Sequence, residues 1–407
     1  TTDYSTDDWG FAVTKAYGTT HKWDAGVITK PAERDQTGTM KKTCQKCGEV
    51  VEEVIPAPYI VCGDDANIFW GITPDHVLEL SVGTGSGESM GYSDKEALDG
   101  HRITTAPWGE YEGIIEGVRV KKGISYIMSS SFYGLTKLKW AEIEDSVTSI
   151  GYSAFSGCTA LKRVKLSENL ESIEMSTFND CTALEEISLP ESVTTIGANA
   201  FSGCIELTEL TFPKNLTTIE KSAFNYTGLL SVNLPDSLTT IGDNAFGSSK
   251  FTEITLPDSL TSLGESAFAY NSKLESINIP KNIKELKKTF YSDYNLNSVS
   301  LSDGLTEIDD AFEGCSALET LAVPSTVTKI GDKTFKGCYR LTEIELPNVL
   351  TYIGDQAFYG CEKLTSISIP ESVTEIDRDA FNACPKLVSI YILGTIVDIV
   401  DRAMGYN

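Results

Sequence analysis

Histidine is scarce in this sequence, and long hydrophobic runs are missing. The 407 residues include three histidines, His21, His76 and His101, so nothing after residue 101 offers an imidazole general base. No segment approaches the roughly 18 consecutive apolar residues of a membrane-spanning helix, and we therefore expect no membrane insertion. No GxSxG, P-loop or GxGxxG pattern occurs in a fitting context, which removes the common motifs of hydrolases and nucleotide-binding enzymes.

Positive charge is also in short supply. Lys and Arg number 33 against 58 Asp and Glu, for a formal charge of −25. Binding to nucleic acid requires cations that neutralise phosphates, so this charge argues against nucleic-acid partners. Glu343 and Glu345 flank Ile344 at roughly the separation used by inverting glycosidases, but a flat sheet would offer no pocket to raise one pKa. We predict that the protein is not an enzyme.

What the sequence has in abundance is repetition. A phenylalanine returns every 22 or 23 residues, a period that is typical of solenoids. Each repeat contains a Leu-x-x-Ile-x-Leu segment that alternates like a half-buried strand. Because the chain advances by one coil per repeat, these segments should stack as a parallel ladder on one face. The twelve phenylalanines are Phe132, Phe155, Phe178, Phe201, Phe224, Phe246, Phe268, Phe290, Phe312, Phe335, Phe358 and Phe381.

Seven cysteines occupy one position of this repeat, three residues after the phenylalanine. Identical placement favours a column of small buried side chains over disulfides or metal ligands, since free cysteine is among the most buried residue types. The coils of Phe224, Phe246, Phe268 and Phe290 lack the cysteine. The seven cysteines are Cys158, Cys181, Cys204, Cys315, Cys338, Cys361 and Cys384.

Another position, three residues after the last apolar residue of each ladder segment, usually carries a short polar side chain. Ser192 and Asn215 are examples, and such side chains can satisfy turn amides of their own or of the next coil. Gly304 and Val349 replace them in two coils, where we expect local loosening.

Four segments can be separated along the chain. Residues 1–58 are predicted to form a small irregular module with a Cys-x-x-Cys motif, and residues 59–114 a β-rich leader domain that caps the first coil. The solenoid of about twelve to thirteen coils occupies residues 115–392. Residues 393–407 should form a C-terminal cap, because an uncapped solenoid exposes its hydrophobic core.

The repeats resemble the leucine-rich repeats of the bacterial surface antigen A (BspA) type, in which Ile-Pro-x-Ser-Val-Thr-x-Ile-Gly-x-x-Ala-Phe-x-Gly-Cys recurs. The resemblance implies a right-handed leucine-rich-repeat solenoid of the α/β type, with a parallel β-sheet on one face and a small β-rich capping domain before it. Family members are typically secreted or surface-attached proteins of host-associated microorganisms, and several act in adhesion. The residues of one coil that match are Ile369, Pro370, Ser372, Val373, Thr374, Ile376, Ala380, Phe381 and Cys384.

The N-terminal module resembles a small module of bacterial surface proteins through residues that include His21, Trp23, Cys44, Cys47 and Gly48. Two thiolates at this spacing can share one tetrahedral zinc ion, with His21 as a nitrogen ligand, but a fourth ligand is missing. A disulfide or a redox-sensitive pair is equally compatible with Cys44 and Cys47. No other cofactor is indicated.

The outward positions of the predicted ladder are mostly small and polar, except at its beginning. There Trp140 stands between strands that carry Arg119, Arg163 and Lys165, and Trp and Arg are enriched in the hot spots of interfaces. These four residues are the predicted ligand-binding site. In the alternative arrangement, Trp140 packs under the leader domain and the cations pair with Glu142.

Together these features predict a non-enzymatic extracellular protein that binds a host or bacterial surface protein, or a glycan, in adhesion-type recognition. The alternative is a structural spacer of the cell surface without a ligand of its own. A third interpretation is a zinc-stabilised or redox-active N-terminal module carried by an inert array.

Overall fold

The computed structural model describes residues 22–30, 32, 36–46, 48–65, 68–82, 106–395, 398–400 and 403. The chain forms two compact units, the first made of Thr1–Gly63 and Gly71–Val77 and the second of Asp64–Trp70 and Leu78–Asn407. Residues of the predicted leader, 59–114, thus belong to both units. The one helical element in the described ranges is a 3-10 turn, Gly109–Tyr111, and no helix in them is long and apolar enough to cross a membrane.

The first unit contains a three-stranded antiparallel sheet, although the sequence of residues 1–58 predicted irregular structure. Its strands β1 (Val27–Lys30), β2 (Gly38–Thr43) and β3 (Val50–Ile55) lie in the order β1-β2-β3. Side chains along β3 alternate between exposed and half-buried, and this period of two is hard to recognise in the sequence because the buried face is shallow. Strands β4 (Val61–Asp65), β5 (Ile68–Ile72) and β6 (Val77–Val82) follow.

The second unit is built mainly on two ladders of parallel strands. The front ladder consists of the predicted Leu-x-x-Ile-x-Leu segments, in which a buried central residue lies between two exposed ones. This ladder confirms the predicted solenoid with a parallel sheet. Its strands are β7 (Gly117–Val120), β9 (Trp140–Ile143), β11 (Arg163–Lys165), β13 (Glu186–Ile187), β17 (Glu253–Thr255), β19 (Ser276–Asn278), β21 (Ser298–Ser300), β23 (Thr320–Ala322), β25 (Glu343–Glu345), β27 (Ser366–Ile369) and β29 (Ser389–Ile392).

The front ladder is not hydrogen-bonded continuously. Its first four strands belong to a sheet with the order β13-β11-β9-β7-β6-β5-β4. Regular pairing then stops over two coils, where within residues 106–395 only a bridge from Asn233 to Thr255 remains, and resumes as β17-β19-β21, β23-β25 and β27-β29. Within this interruption the spacing of the repeat shortens by one residue: Leu229 comes five residues after Phe224, and Phe251 five after Phe246, whereas Leu207 comes six after Phe201.

A second ladder, which the sequence pattern does not predict, runs along another side of the coils. Most of its strands have two residues, as in Thr195–Ile196, where the first is half-buried and the second buried. Two residues are too short for an alternating pattern to be recognised. The strands are β8 (Tyr126–Ile127), β10 (Ser149–Ile150), β12 (Ser172–Ile173), β14 (Thr195–Ile196), β15 (Thr218–Ile219), β16 (Thr240–Ile241), β18 (Ser262–Leu263), β20 (Glu285–Lys287), β22 (Glu307–Asp309), β24 (Lys329–Ile330), β26 (Tyr352–Ile353), β28 (Glu375–Ile376) and β30 (Asp398–Ile399).

The twelve repeat phenylalanines form a continuous column in the core. All are fully buried, and neighbouring ring centroids lie 4.9 to 6.1 Å apart. At the N-terminal end the buried Trp108 stacks on Phe132 at 6.0 Å and donates its indole N–H to the carbonyl of Ser131. Aromatic pairs at such distances contribute about 0.5–1.5 kcal/mol each beyond their buried area, so the column is a major source of stability.

Each phenylalanine lies between two residues in the left-handed backbone region, one two positions before it and one two positions after. In the last coil these are Asp379, with φ of 54°, and Ala383, with φ of 57°. Six coils place glycine at the second position, as in Gly360 with φ of 75°, where the conformation costs least. The two left-handed residues turn the chain sharply enough to bring the phenylalanine inward.

The seven in-frame cysteines are buried and free, as predicted. Each thiol donates to the carbonyl of the phenylalanine one coil earlier, as Cys158 does to Phe132 at 3.1 Å and Cys384 to Phe358 at 3.1 Å. Burial raises the pKa of the Cys158 thiol to about 12, so it stays protonated and able to donate. The cysteine column therefore connects consecutive coils by repeated S–H to carbonyl contacts.

Where cysteine is missing, the same column continues through buried polar side chains: Thr227, Ser249, Asn271 and Asp293. The amide of Ser249 donates to Oδ1 of Asn271, and the amide of Asn271 donates to Oδ1 of Asp293, both at 2.7 Å. Oδ2 of Asp293 has no hydrogen-bond partner within the described part of the chain. Burial raises the pKa of Asp293 well above its usual value.

The short polar residues that follow the front strands bond mainly to carbonyl oxygens, and not to amides as expected. The hydroxyl of Ser372 donates to the carbonyl of Leu350 at 2.6 Å, and the side-chain amide of Asn215 donates to the carbonyl of Glu191 at 3.1 Å. Ser146, whose hydroxyl accepts from the amide of Gly123, follows the expectation. These bonds tie each turn to the preceding coil.

Candidate interaction site

The predicted site lies on the first strands of the front ladder, where Trp140 is partly exposed on β9. Its ring lies against the backbone of Gly117 on β7, because a Cβ atom added there would come within 2.4 Å of the indole. The guanidinium of Arg119 lies over the same ring, 5.4 Å from the centroid. The glycine and the arginine therefore hold the indole flat along the face of the ladder, with a cation–π contact on one side.

Arg119 is already paired within the fold. Its guanidinium contacts Glu79 at 2.9 Å and Glu142 at 3.1 Å, and Glu79 also pairs with Lys121. Burial opposes the charge of Arg119, but the hydrogen bonds to Glu142 and Glu79 outweigh it and raise the pKa of the guanidinium. Arg119 thus positions the ring of Trp140, and its charge is already balanced by Glu79 and Glu142 and not by a ligand.

Arg163 and Lys165 differ from Arg119 because neither forms an ion pair with the residues that the structure describes. Both are exposed on β11, and the ladder register sets Arg163 beside Trp140 and Lys165 beside Glu142. Together with Ser188 and three glutamates, Glu142, Glu168 and Glu186, they line a shallow depression of about 260 Å³. The indole of Trp140 and the two unpaired cations, Arg163 and Lys165, therefore line the same depression.

The rest of the front face has a different character. The next depression along the ladder, of about 500 Å³, is bordered by Glu185, Glu186, Glu191 and Glu209. Glu343 and Glu345 are exposed on either side of the buried Ile344, as expected for a solvated sheet. Of these two depressions, the one beside Trp140 is the less acidic.

The predicted zinc ligands belong to the N-terminal module. Cys44 is buried in the turn after β2, where its carbonyl accepts from the amide of Gly48 at 2.9 Å and its sulfur from the amide of Lys46 at 3.4 Å. His21 and Cys47 lie outside the described residues, so zinc binding stays a prediction. Among the residues that are described, no three His, Cys, Asp or Glu side chains converge as a metal site.

The chain is similar to solved structures of other proteins. The pneumococcal vaccine antigen PcpA matches with a TM-score of 0.52 and 21% identity, over 86% of this chain and 89% of that one. A leucine rich cell surface protein of Faecalibacterium prausnitzii matches at 0.45 and 24%, over 82% and 95%. A leucine-rich repeat protein of Bacteroides ovatus matches at 0.39 and 24%, over 76% and 95%. No curated protein sequence gave a significant match.

The sequence also matches a defined repeat family. The BspA type leucine rich repeat region matches in six copies, over residues 111–230, 194–310 and 286–407, which together span most of the chain. These residues contain both ladders and the phenylalanine column described above. The predicted resemblance is thereby confirmed, and the chain belongs to the family of proteins with BspA type leucine rich repeats.

Proposed function

We propose that this protein is a non-enzymatic, extracellular recognition protein that binds a protein or glycan of a host or bacterial surface. The site is the depression beside Trp140, and the observation that carries the proposal is the pair of unpaired cations, Arg163 and Lys165, in a protein with a charge of −25. Tryptophan and arginine, here Trp140 and Arg163, are enriched in interface hot spots.

The family and the fold support this proposal. Leucine-rich repeat proteins are typically non-enzymatic, and proteins with this repeat type are typically secreted or attached to cell surfaces. A solenoid offers an extended surface with one residue set per coil, which suits recognition of large ligands. Arg163 and Lys165 would attract anionic groups of a ligand to the depression beside Trp140.

The test is a binding screen of the full chain against extracellular-matrix proteins and a glycan array at physiological salt. Binding should be saturable and should fall at least tenfold in the variant Arg163→Glu/Lys165→Glu, because charge reversal repels the ligand that the cations attract. The control is Lys363→Glu/Lys386→Glu, which makes the same charge change at two exposed lysines of distant coils. The control should bind like the wild type.

Trp140→Ala separates recognition from packing. Reduced binding with an unchanged melting temperature assigns the indole to the ligand, whereas a lower melting temperature with intact binding assigns it to the packing of Gly117 and Arg119. A ligand that binds both charge variants equally contradicts the proposed site. A screen without any ligand favours the structural spacer.

A further inference from the structure

A second surface differs from the rest of this acidic protein, on the turns that follow the buried phenylalanines. Tyr226, Tyr270 and Tyr294 expose 62%, 54% and 53% of their surface there. Tyr291 joins them, with its ring in edge contact with Tyr270 at 5.3 Å. We call these four residues the tyrosine patch. They belong to the coils that lack the cysteine, so the patch interrupts the repeat where the core column also changes.

The four tyrosines lie on equivalent turns of stacked coils, with the coil of Phe246 between Tyr226 and Tyr270. The amide of Tyr270 donates to the carbonyl of Tyr291 at 2.8 Å, and the amide of Tyr226 donates to the carbonyl of Gly247 one coil further along. Burial raises the pKa of Tyr270, and the nearby hydroxyls of Tyr291, Tyr294 and Tyr226 raise it further. The patch is therefore one surface that spans four consecutive coils.

The turns that carry the patch have no exposed carboxylate. In residues 225–230, 247–250, 269–273 and 291–295 the single acidic residue is Asp293, which is fully buried. The same turns contain two exposed lysines, Lys250 and Lys273, and neither forms an ion pair within the described part of the chain. Serine and asparagine side chains fill most of the remaining exposed positions. The patch is thus aromatic and cationic, and its ligand should be anionic.

The size and backbone of the patch favour a small ligand over a large protein interface. With roughly 200 Å² for each tyrosine, the exposed rings amount to roughly 350 Å², well below the roughly 800 Å² that each partner buries in a stable protein complex. The turn amides of Tyr226, Ser248 and Tyr270 already donate to the next coil, so a peptide strand cannot be added by main-chain hydrogen bonds. These features fit a small ligand that stacks on the tyrosine rings.

We propose that the tyrosine patch binds an acidic glycan, a chain of sugar rings that carries carboxylates. The apolar faces of pyranose rings would stack on Tyr226, Tyr270 and Tyr294. Lys250 and Lys273 would pair with the carboxylates, and the tyrosine, serine and asparagine groups would bond to sugar hydroxyls. This site is separate from the depression beside Trp140 and does not depend on that site binding the same ligand.

The experiment uses the full chain and two probes of equal length, oligogalacturonate and a neutral galacto-oligosaccharide, in titration calorimetry. Oligogalacturonate should bind at least tenfold more tightly than the neutral probe and more weakly as ionic strength rises. The variant Tyr226→Ser/Tyr270→Ser/Tyr294→Ser should reduce affinity at least tenfold. Serine is compatible with the backbone at Tyr226 and Tyr270, because Ser248 and Ser292 occupy the equivalent positions of neighbouring coils with the same left-handed backbone.

Three further variants complete the design. Lys250→Glu/Lys273→Glu should also reduce affinity at least tenfold, whereas Tyr339→Ser, at an exposed tyrosine outside the patch, should leave it unchanged. Arg163→Glu/Lys165→Glu should bind oligogalacturonate like the wild type. If this last variant loses binding, the glycan binds to the front ladder. That result contradicts the proposal for the tyrosine patch and leaves the proposed function unaffected. Absent binding, equal binding of the neutral probe, or binding that survives the tyrosine variant also overturns the proposal.

Discussion

The variant Asp293→Asn tests the account of the buried polar column. One coil earlier, Asn271 shows what an amide does in this position: Oδ1 accepts from Ser249, while Nδ2 donates to the carbonyls of Phe246 and Phe268. Asp293 reproduces the first contact through Oδ1, and its Oδ2 stands where Asn271 has its amino group. Asparagine should therefore fit the site and supply, at every pH, the donor that the Asp293 carboxyl offers only when it is protonated. Satisfying a buried group of this kind is worth about 1–3 kcal/mol.

The pH dependence gives the sharper measurement. Below pH of about 3.9 the carboxyl is protonated in both states, and above it only the folded state keeps the proton, because burial raises its pKa. The free energy of unfolding of the wild type should therefore fall, relative to Asp293→Asn, by about 1.4 kcal/mol per pH unit above that point, until the folded-state pKa is reached. Urea unfolding of both proteins between about pH 5 and 8 measures this difference.

The control is Asp310→Asn. Burial, followed by the hydrogen bond to Glu313, raises the pKa of Asp310 to about 7, so the corresponding difference should stop growing near pH 7. A solenoid does not always unfold in one step, and hydrogen exchange of the amides from Phe268 to Phe312 reports the local effect. A difference between wild type and Asp293→Asn that does not change with pH, or an asparagine variant that is less stable throughout, would refute this account.

Three further predictions concern the repeat itself. Ala383→Gly should raise the free energy of unfolding by roughly 1 kcal/mol in urea titrations, since glycine adopts the left-handed backbone at no cost, and Gly360→Ala should lower it by a similar amount. Val349→Ser should add about 1 kcal/mol by supplying the hydroxyl that Ser372 has in the next coil, and Val349→Ala should add nothing. The seven buried thiols should resist iodoacetamide at about pH 8 and react in denaturant, because burial raises their pKa, as it does to about 12 for Cys158; labelling followed by mass spectrometry decides this.

The regular part of the fold was predictable because it repeats. A phenylalanine every 22 or 23 residues, with an alternating segment at a constant offset, indicates both the column and the front ladder, and the structure shows Trp140 and Arg163 paired as the period requires. The second ladder was not predictable, since two-residue strands carry no period. The antiparallel sheet of residues 27–55 was missed because its alternation is between exposed and half-buried side chains, a weak contrast.

The candidate site was predictable only in part. The period sets Arg163 and Lys165 next to Trp140, but the ion pair of Arg119 with Glu79 joins residues 40 apart, one of them outside the repeats. No offset within the repeat reports such a contact. The tyrosine patch could have been recognised in the sequence, but not from the positions that form the front ladder. It appears when the four consecutive coils from Phe224 to Phe290, which lack the cysteine, are compared with the others, at the turn and not at the strand.

The buried polar column also bears on how such an array can grow. In each coil with an in-frame cysteine, the thiol donates to the carbonyl of the phenylalanine in the preceding coil. A duplicated coil of this type could therefore form the same hydrogen bonds with the coils on both sides. Asn271 and Asp293 are different, because each side chain accepts a hydrogen bond from the backbone amide of one particular residue in the preceding coil, Ser249 or Asn271. Duplication of a coil should therefore lengthen the cysteine-bearing ends of the solenoid without loss of the thiol hydrogen bonds. In the central coils, a change in the order of the coils would break the hydrogen bonds of Asn271 and Asp293.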